Sequence, residues 1–547
     1  MRRRDFMTGT AVGLAGWPIL ESGAAQILRS SASVSGPKSP FILRRSRGGN
    51  LTSLDPHRPL SSADMEIAAD LFLGLTAIDG AGRLVPGCAA RWQVDADGHR
   101  YRFILQPDLF WSDGRALSAD DVQFSLQRLL DPTTGALLSY RYDAIGNARA
   151  IRTGNKDPKE LAVRIESERE IVIELERAET DLLKLLAVAY IVPKHALLQW
   201  GQDWAKPPQM VVNGAYRPIA WRQNGRLQLV RNERFQERLA ETRAVNVRGA
   251  PPSGVHWLFG IDDATRLRLF RAGELDVAQI SEGSALQFAR EELPAQLKSA
   301  PTHTGGWVGF NLRRRAAADP RLRRMLALAV DREILCGKVR ALGEEPTESL
   351  VPLAATDYLE RSVPVSSREQ RAARLARAQA LSRELGLSRQ QPLRLQAIFS
   401  SNSLTQRSFL ALDAMWAPLG VRVDAQGLES RAYSEALNAR RFDLMDYSVF
   451  SVVQGPASFI NRFRSDSFLN YFGYAEPEVD ALIDQAERER TIEARARGYF
   501  AAEERILRDL PVIPLYSGVA HRLVATSLTG WVRNVGLATP SYYLGRP

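Results

Sequence analysis

The fold is decided by residues 86–129, which read PGCAARWQVDADGHRYRFILQPDLFWSDGRALSADDVQFSLQRL. Within this stretch Tyr101, Phe103 and Leu105 alternate with Arg102, Ile104 and Gln106. This is the pattern of a strand that is buried on one face. The pair Asp97-Gly98 directly precedes the alternation and is a turn signal. The first part of the stretch therefore predicts a strand, a turn and a second strand.

The second half of the stretch carries a turn and a helix start. The turn chemistry recurs at residues 112–114, and Ser118 is a good N-cap for the residues that follow. Asp120 and Asp121 would lie in the first turn, where carboxylates suit the positive end of a helix. Asp131-Pro132 is expected to end the helix.

Length and composition describe a large globular chain. At 547 residues the chain is too long for one ordinary core, so two or three lobes are expected. Hydrophobic residues make up 45% of the chain, and after the N-terminus no apolar run is long enough to span a bilayer.

The N-terminus has the pattern of an export signal. Arg3-Arg4-Asp5-Phe6-Met7 resembles a twin-arginine signal, an apolar run follows to Leu20, and small residues end near Ala25. We interpret residues 1–25 as a signal peptide and residues 26–40, rich in Ser, Gly and Pro, as a linker. A basic tail on a cytoplasmic protein is the alternative. No cysteine follows the apolar run, so the mature chain is expected free in the periplasm.

The two cysteines, Cys88 and Cys336, do not form a disulfide framework. They could pair in an oxidising compartment, but they lie far apart in sequence. Two buried thiols are the favoured interpretation.

The formal charge of +10 becomes +9 once residues 1–25, with three arginines and two acids, are removed. Such a balance suggests nucleic acid or an anionic membrane as a partner. Against this, arginines are interleaved with acids along the chain, as in Arg488-Glu489-Arg490, and no aromatic-basic ladder is present. We predict no nucleic-acid partner.

Catalytic motifs are missing from the sequence. It contains no G-x-S-x-G, H-E-x-x-H, paired C-x-x-C or G-x-x-x-x-G-K motif. No two of the six histidines have helical ligand spacing. We therefore predict no enzyme, no cofactor and no metal, although a catalytic group assembled only by folding stays open.

The stretch at 86–129 resembles the signature region of the family 5 solute-binding proteins of ABC importers, which include the periplasmic oligopeptide- and dipeptide-binding proteins. The resemblance lies in an ordered series of short motifs at compatible spacing. They are Pro86-Gly87, Trp92, Asp97-Gly98, Tyr101-x-Phe103, Trp111-Ser112-Asp113-Gly114 and Asp120-Asp121-Val122. Further matches run from about residue 41 to the C-terminus, among them Asn50 to Pro56, which is interpreted as an opening strand that ends in a turn.

The resemblance implies an α/β, two-lobed, hinge-closing periplasmic binding protein fold (type II) with an extra small α/β subdomain. We expect lobe I at 41–80, 192–303 and 512–547, the small subdomain at 81–191, and lobe II at 304–511. The strands that cross between the lobes are expected near Trp307 and Pro511. Such a protein closes on its solute and docks on a membrane permease.

In the oligopeptide-binding relatives an aspartate before a proline-containing turn receives the peptide's terminal ammonium, because a desolvated cation needs a paired anion. The matching run here is FDLMDYSVFSVVQGP, residues 442–456. Without gaps, Val452 takes the place of the aspartate, Val449 that of a tryptophan and Asp446 that of a basic residue. A valine offers an ammonium nothing, so this contact is expected to be absent. Asp446 is expected either to meet a cationic or hydroxylated solute, or to be exposed or paired with Arg440 or Arg441.

The remaining candidate ligand-binding residues follow from position alone. They lie on the opening strand (Leu51, Ser53), on a crossing strand (Trp307, Phe310), and in or after the altered motif (Phe450, Val452, Gln454, Asn470, Tyr471). Core packing is the alternative for Trp307.

The predicted function is that of a periplasmic substrate-binding component of an ABC transporter, with a peptide-like or other small solute as ligand. The ABC permease subunits are the expected partners, the membrane is reached only through the permease, and a monomer is expected. An exported binding or chaperone-like protein that serves a sensor is the alternative. An exported hydrolase is a third hypothesis.

Overall fold

The computed structural model describes residues 41–59, 61–179, 181–223, 225–235, 250–281, 283–355, 358, 370–451, 455–489, 491–535 and 539–547. The predicted signal peptide and linker, residues 1–40, lie outside these ranges.

The strands run in chain order from β1 to β17. They are β1 Ile42–Ser46, β2 Thr76–Ile78, β3 Leu84–Pro86, β4 Ala89–Val94, β5 Arg100–Leu105, β6 Val163–Ser167, β7 Glu170–Glu174, β8 Tyr216–Trp221, β9 Arg226–Arg231, β10 Gly254–Leu258, β11 Val277–Gln279, β12 Leu297–Phe310, β13 Glu345–Pro346, β14 Leu393–Ser400, β15 Val421–Leu428, β16 Leu444–Phe450 and β17 Val512–Val524.

The α-helices are numbered in the same way. They are α1 Ser62–Leu71, α2 Ala119–Leu130, α3 Ala148–Arg152, α4 Leu182–Leu186, α5 Lys194–Trp200, α6 Asp263–Arg271, α7 Gly283–Glu292, α8 Arg315–Ala318, α9 Pro320–Ala329, α10 Arg332–Ile334, α11 Arg371–Glu384, α12 Ser403–Trp416, α13 Ser430–Asn438, α14 Ala457–Ile460, α15 Pro477–Arg488 and α16 Ile492–Asp509. A π-helical segment, Leu335–Arg340, follows α10 directly.

Within the described ranges most strands join one mixed 11-stranded sheet. Its order is β15-β14-β16-β12-β17-β11-β1-β10-β9-β8, with β13 beside β17. A separate four-stranded sheet has the order β4-β5-β7-β6, and β2 and β3 form a short ribbon. The large sheet has a parallel group at each side, β1 with β10 and β11, and β14 with β15 and β16.

The signature stretch folds as its pattern predicts. β5 alternates between buried and half-buried residues and pairs with β4 in an antiparallel register. Ser118 caps α2 in a capping box with Asp121, and the helix ends at Asp131. The buried sides of β5 and α2 meet in one hydrophobic core, to which Trp111 also belongs.

The large sheet is packed on both faces in its β12–β16 part. One core contains Leu444 of β16 with side chains of α9 and α12. The core on the other face contains Met445 with side chains of α13, α15 and α16. Successive residues of β16 thus point into different cores, as strand geometry requires.

One strand is misplaced in the sequence interpretation. Residues 51–55 were expected to form the opening strand, but the structure places that strand at Ile42–Ser46 and leaves 51–55 without ladder pairing. The carboxylate of Asp64 accepts from the amides of Thr52 and Ser53, at 2.8 and 3.3 Å, and from the Thr52 hydroxyl at 2.6 Å. A side chain therefore satisfies backbone groups that a strand would have paired.

Two further observations concern the whole described chain. Cys88 and Cys336 are both free and buried. In the ranges that the structure describes, no helix has the length and apolar character needed to cross a membrane.

Candidate functional site

The parallel strand groups at the two sides of the large sheet mark where a ligand would bind. In open sheets, ligands lie outside the carboxyl ends of parallel strands. On one side β1 and β10 end at Ser46 and Leu258. On the other side β14 and β16 end at Ser400 and Phe450.

Two long antiparallel strands, β12 and β17, join these groups. The C-terminal end of β17 pairs with β11, whereas β12 pairs with β16 along the edge that faces away from β17. The register between β12 and β17 shifts between Pro301 and Gly305, opposite residues 517–519. The partner strand therefore changes along β12 and β17 close to this irregularity.

Residues 341–343 contact the side of the sheet that holds β11. Arg290 of α7 donates to the carbonyl oxygen of Ala341 at 3.4 Å. The Nε2 atom of His521 lies 2.5 Å from the carbonyl oxygen of Leu342. Arg340 and Glu344 flank this segment. They therefore lie beside the place where β12 and β17 change their partner strand, which we call the junction.

One face of β16 becomes more exposed toward its carboxyl end. Asp446 is half-buried, whereas Ser448 and Phe450, which follow on the same face, are exposed. Burial is the main cause that raises the pKa of Asp446 to about 6, against the opposing effect of the Arg340 charge. The described structure gives no ion pair between Asp446 and Arg440 or Arg441, so the pairing that the sequence left open is not seen there.

A compact ionic cluster lies next to this face. Arg340 donates from Nε and Nη2 to both carboxylate oxygens of Glu344, at 2.5 and 2.7 Å. Its Nη1 atom donates to Ser408 at 3.1 Å, and its guanidinium carbon lies 4.0 Å from the centre of the Tyr516 ring. The bidentate pair and the stacked ring hold Arg340 in one orientation.

Tyr516 connects the cluster to β16. Its hydroxyl shares a hydrogen bond with Ser448, and its ring lies across Gly306 of β12. A Cβ atom at Gly306 would lie 2.1 Å from the ring carbon Cζ, a distance that no pair of carbon atoms tolerates. Only glycine at this position lets the ring reach Ser448.

The structure places the predicted residues of the opening segment in different surroundings. Leu51 is buried in the core that contains Trp204 and Trp257. Ser53 is half-buried, and its hydroxyl accepts from the Asp55 amide at 3.0 Å.

The two predicted residues on β12 are both fully buried. Trp307 packs against Tyr447 and Phe463, with ring centres 5.8 and 5.7 Å apart. Phe310 belongs to the core on the opposite face of the sheet. Core packing therefore accounts for both side chains in this structure.

The predicted residues at the end of β16 and after it lie in different surroundings. Phe450 is 41% exposed at the end of the strand. Asn470 is buried and holds a turn by donating to the carbonyl oxygens of Arg464 and Tyr474, at 3.0 and 2.5 Å. Tyr471 packs edge-on against Tyr447. Val452 and Gln454 lie outside the described residues.

Sequence reasoning missed the cluster beside Asp446. Arg340 and Glu344 have the i,i+4 spacing of a helical ion pair, which was the only available signal. Tyr516 comes from a strand more than 170 residues away, so only folding brings it to this place. Among the described residues, no group of three or more His, Cys, Asp or Glu side chains could hold a metal ion.

Comparison with known proteins shows which protein family this sequence matches. The profile of the bacterial extracellular solute-binding proteins, family 5, matches residues 83–470. The probable deoxycholate-binding periplasmic protein YgiS of Escherichia coli is 30% identical over 511 residues, covering 91% of this chain and 92% of that protein. The periplasmic oligopeptide-binding protein OppA of Salmonella typhimurium is 29% identical, with 89% of each chain covered.

Solved structures extend the likeness to three dimensions. The murein tripeptide binding protein MppA of Escherichia coli superposes with a TM-score of 0.83 at 25% identity, over 94% of this chain and 99% of that one. An unliganded open form of MppA gives only 0.72 at the same identity, over 93% and 99%. This chain is therefore more similar to the first MppA structure than to the unliganded open form.

Proposed function

The chain belongs to the bacterial extracellular solute-binding proteins of family 5, and we propose that its solute is not held as a linear oligopeptide is held. It is a two-lobed periplasmic substrate-binding component of an ABC transporter, which delivers its solute to the membrane permease. The identity of the solute, the lobe boundaries and the contact residues belong to the proposal.

The altered charge pattern in and after β16 supports this proposal. The resemblance assigns the ammonium-binding aspartate to position 452, which is valine here. The acidic side chain lies six residues earlier, at Asp446, on the β16 face that opens toward Phe450. A desolvated ammonium at position 452 would lose its water without gaining an anion, at a cost of several kcal/mol.

The lobes are proposed to change over where the register of β12 and β17 shifts. This keeps the predicted lobe I at 41–80 and 192–303, the small subdomain at 81–191 and the start of lobe II at 304. On β17 it puts the change-over at residues 517–519 instead of 512, because β17 pairs with lobe II residues of β12 up to Ser517.

The contact surface is proposed to include the exposed end of β16. Phe450 offers an apolar ring and Ser448 a hydroxyl, both on the face of Asp446. Of the other predicted positions, Leu51, Ser53, Asn470 and Tyr471 would act by shaping the surface more than by direct contact, since other residues already pack or bond them.

We propose that the chain performs no catalysis. The family takes part in transport, and the sequence carries none of the nucleophile-elbow, zinc-site, paired-cysteine or phosphate-loop motifs named above. The relatives' names give three different ligands (deoxycholate, murein tripeptide and oligopeptide), so the scaffold accommodates different chemistry without changing its role.

The proposed function is tested by identifying what the protein carries. Mass spectrometry of protein isolated natively from the periplasm is expected to show a solute other than a mixture of linear peptides. Recovery of ordinary linear peptides would refute the solute assignment. Deletion of the gene is expected to abolish uptake of the solute so identified, and intact uptake would favour the sensor or chaperone alternative.

A further inference from the structure

Asp446 brings an uncompensated negative charge into the junction. The charge of Arg340 lowers the pKa of Asp446, but no ion pair joins the two side chains. Arg340 is instead bound through both carboxylate oxygens by Glu344, and both partners are buried. One guanidinium therefore stands beside two carboxylates, and the group of three carries a net charge of −1.

The other described neighbours do not neutralise this charge. Tyr433 of α13 donates its hydroxyl to the backbone carbonyl oxygen of Asp446 and not to its carboxylate. The hydroxyl of Tyr516 is engaged with Ser448. Among the described residues no donor to the Asp446 carboxylate is found, and the side chain is only half-buried, so the carboxylate is open to a solute.

We infer that Asp446 receives a positively charged group of the solute, an ammonium or an equivalent cation, at the floor of the cleft. This inference rests on the proposed function, since it needs a solute to enter between the lobes. With the cation bound, the group would contain two positive charges, from the solute and Arg340, and two negative charges, from Asp446 and Glu344. Each charge would then have a partner.

The chemistry of the site discriminates against anions. A solute carboxylate at this position would face both Asp446 and the already satisfied Arg340–Glu344 pair, so it would be repelled without finding a free donor. A neutral hydroxyl could donate one hydrogen bond, but it would leave the net charge in place. The elevated pKa of Asp446 is the expected property of a carboxylate that waits for such a partner.

The test compares the full-length wild type with Asp446→Asn and with Glu435→Gln. Glu435 is an exposed carboxylate on α13 that, within the described ranges, pairs with the exposed Arg431 alone, so its variant controls for loss of one negative charge. Each protein is purified natively from the periplasm, and the carried solute is measured by native mass spectrometry and identified by fragmentation. We expect wild type and Glu435→Gln to carry a solute with a basic nitrogen. The Asp446→Asn variant should carry at most about one tenth of the amount of solute that the wild type carries. This is the loss expected for one charge-assisted hydrogen bond.

An equal load in Asp446→Asn, or a carried solute without a basic nitrogen, would overturn the inference and leave the proposed function standing. A load of linear peptides that depends on Asp446 would support the inference but refute the proposed solute class. The two failures are therefore distinguishable.

If the wild type carries nothing, two added probes decide. N-acetyl-Ala-Glu-Lys has a single ammonium, and its Nε-acetylated form has none. A preference of about ten-fold for the first, lost in Asp446→Asn, supports the inference. Equal binding of the two probes, or binding of deoxycholate alone, overturns it. Binding of none of these compounds by the wild type overturns the inference and leaves the proposed function standing.

Discussion

Arg495 of α16 donates to the carboxylate of Glu179, 316 positions earlier in the chain, at 3.4 Å. The side chain of Arg495 is only 8% exposed, so the pair is largely shielded from water. A second, exposed pair, Arg149 of α3 with Asp466, spans 2.8 Å. A third pair, Arg177 with Glu487 of α15, spans 3.5 Å, so ion pairs of different burial connect residues 149–179 with residues 466–495.

The buried pair should dominate the stability of this contact. Burial is the main cause that raises the pKa of Glu179, and Arg495 opposes that rise. Arg495→Met would leave the half-buried Glu179 carboxylate with the Asp181 amide and the Arg177 charge as its partners, with an expected loss of about 2 kcal/mol in the free energy of unfolding at pH 8. Arg149→Met should cost at most about 1 kcal/mol, because its pair is exposed.

Chemical denaturation of both variants checks this prediction. The double variant Arg495→Met/Glu179→Gln should recover most of the lost stability, since it removes the stranded charge. Equal losses for Arg495→Met and Arg149→Met would show that the buried pair has no special weight.

Gly306 is predicted to be intolerant of alanine because of the Tyr516 ring. The Cβ atom would lie 2.1 Å from ring carbon Cζ, so the ring or the strand must move, at an expected cost of about 1–3 kcal/mol. In a Tyr516→Leu background the same substitution should cost clearly less, because the clashing ring atoms are gone. Thermal unfolding of the single and double variants measures this coupling.

Gly283→Ala is the control for this cycle, since nothing lies within 4 Å of its added Cβ and its φ is ordinary for a helix start. If Gly306→Ala costs the same with and without the Tyr516 ring, the contact between them is not the cause.

Asp446 should give the solute-free protein a stability that falls with rising pH. Its pKa of about 6 in the folded chain lies above its ordinary value of 3.8, so folding favours the protonated form. The stability that this group contributes is complete below about pH 4 and is lost as the pH rises through 6. Asp446→Asn should lack this component, so wild type should lose stability relative to the variant between pH 4 and pH 7.

Denaturant titrations of both proteins at several pH values measure the difference. Parallel stability curves over this range would mean that the Asp446 carboxylate is not desolvated. Binding of a cationic solute should show the opposite sign and strengthen as the pH rises through 6, because the carboxylate then carries its charge.

Both cysteines are predicted to remain reduced and unreactive in the native protein. Burial raises the pKa of the Cys88 thiol and of the Cys336 thiol to about 12, so neither forms a thiolate at neutral pH. A thiol-reactive dye should label two sites in denaturant and essentially none without it. Labelling of fewer than two sites in denaturant would reveal a disulfide, and reductant would then lower the melting temperature.

Much of the fold could be predicted because its signals are local. The turn at Asp97-Gly98, the alternation in β5 and the cap at Ser118 each depend on a few neighbouring residues, and the structure confirms them. The positions of β12 and β17 were predicted, but their lengths were not. β12, for example, starts at Leu297 and runs through Pro301 and Gly305, residues that normally interrupt strands.

The candidate site was much less predictable because distant segments form it. Asp446 was found through its position in a family motif. Its surroundings come from the π-helical segment that ends at Arg340 and from Tyr516 on the last strand. Local patterns carry no information on such a meeting. The error at residues 51–55 has a similar origin, since the partner of that segment's backbone is the side chain of Asp64 in the first turn of α1.

The central claim is that the two lobes close around a solute, with β12 and β17 as the crossing strands. The most direct test is small-angle X-ray scattering of the mature protein, first stripped of solute by denaturation and refolding and then given back the solute identified from the periplasm. We predict that the radius of gyration falls on addition of that solute. An unchanged radius of gyration at saturating solute, with binding confirmed by calorimetry in the same buffer, would contradict the account.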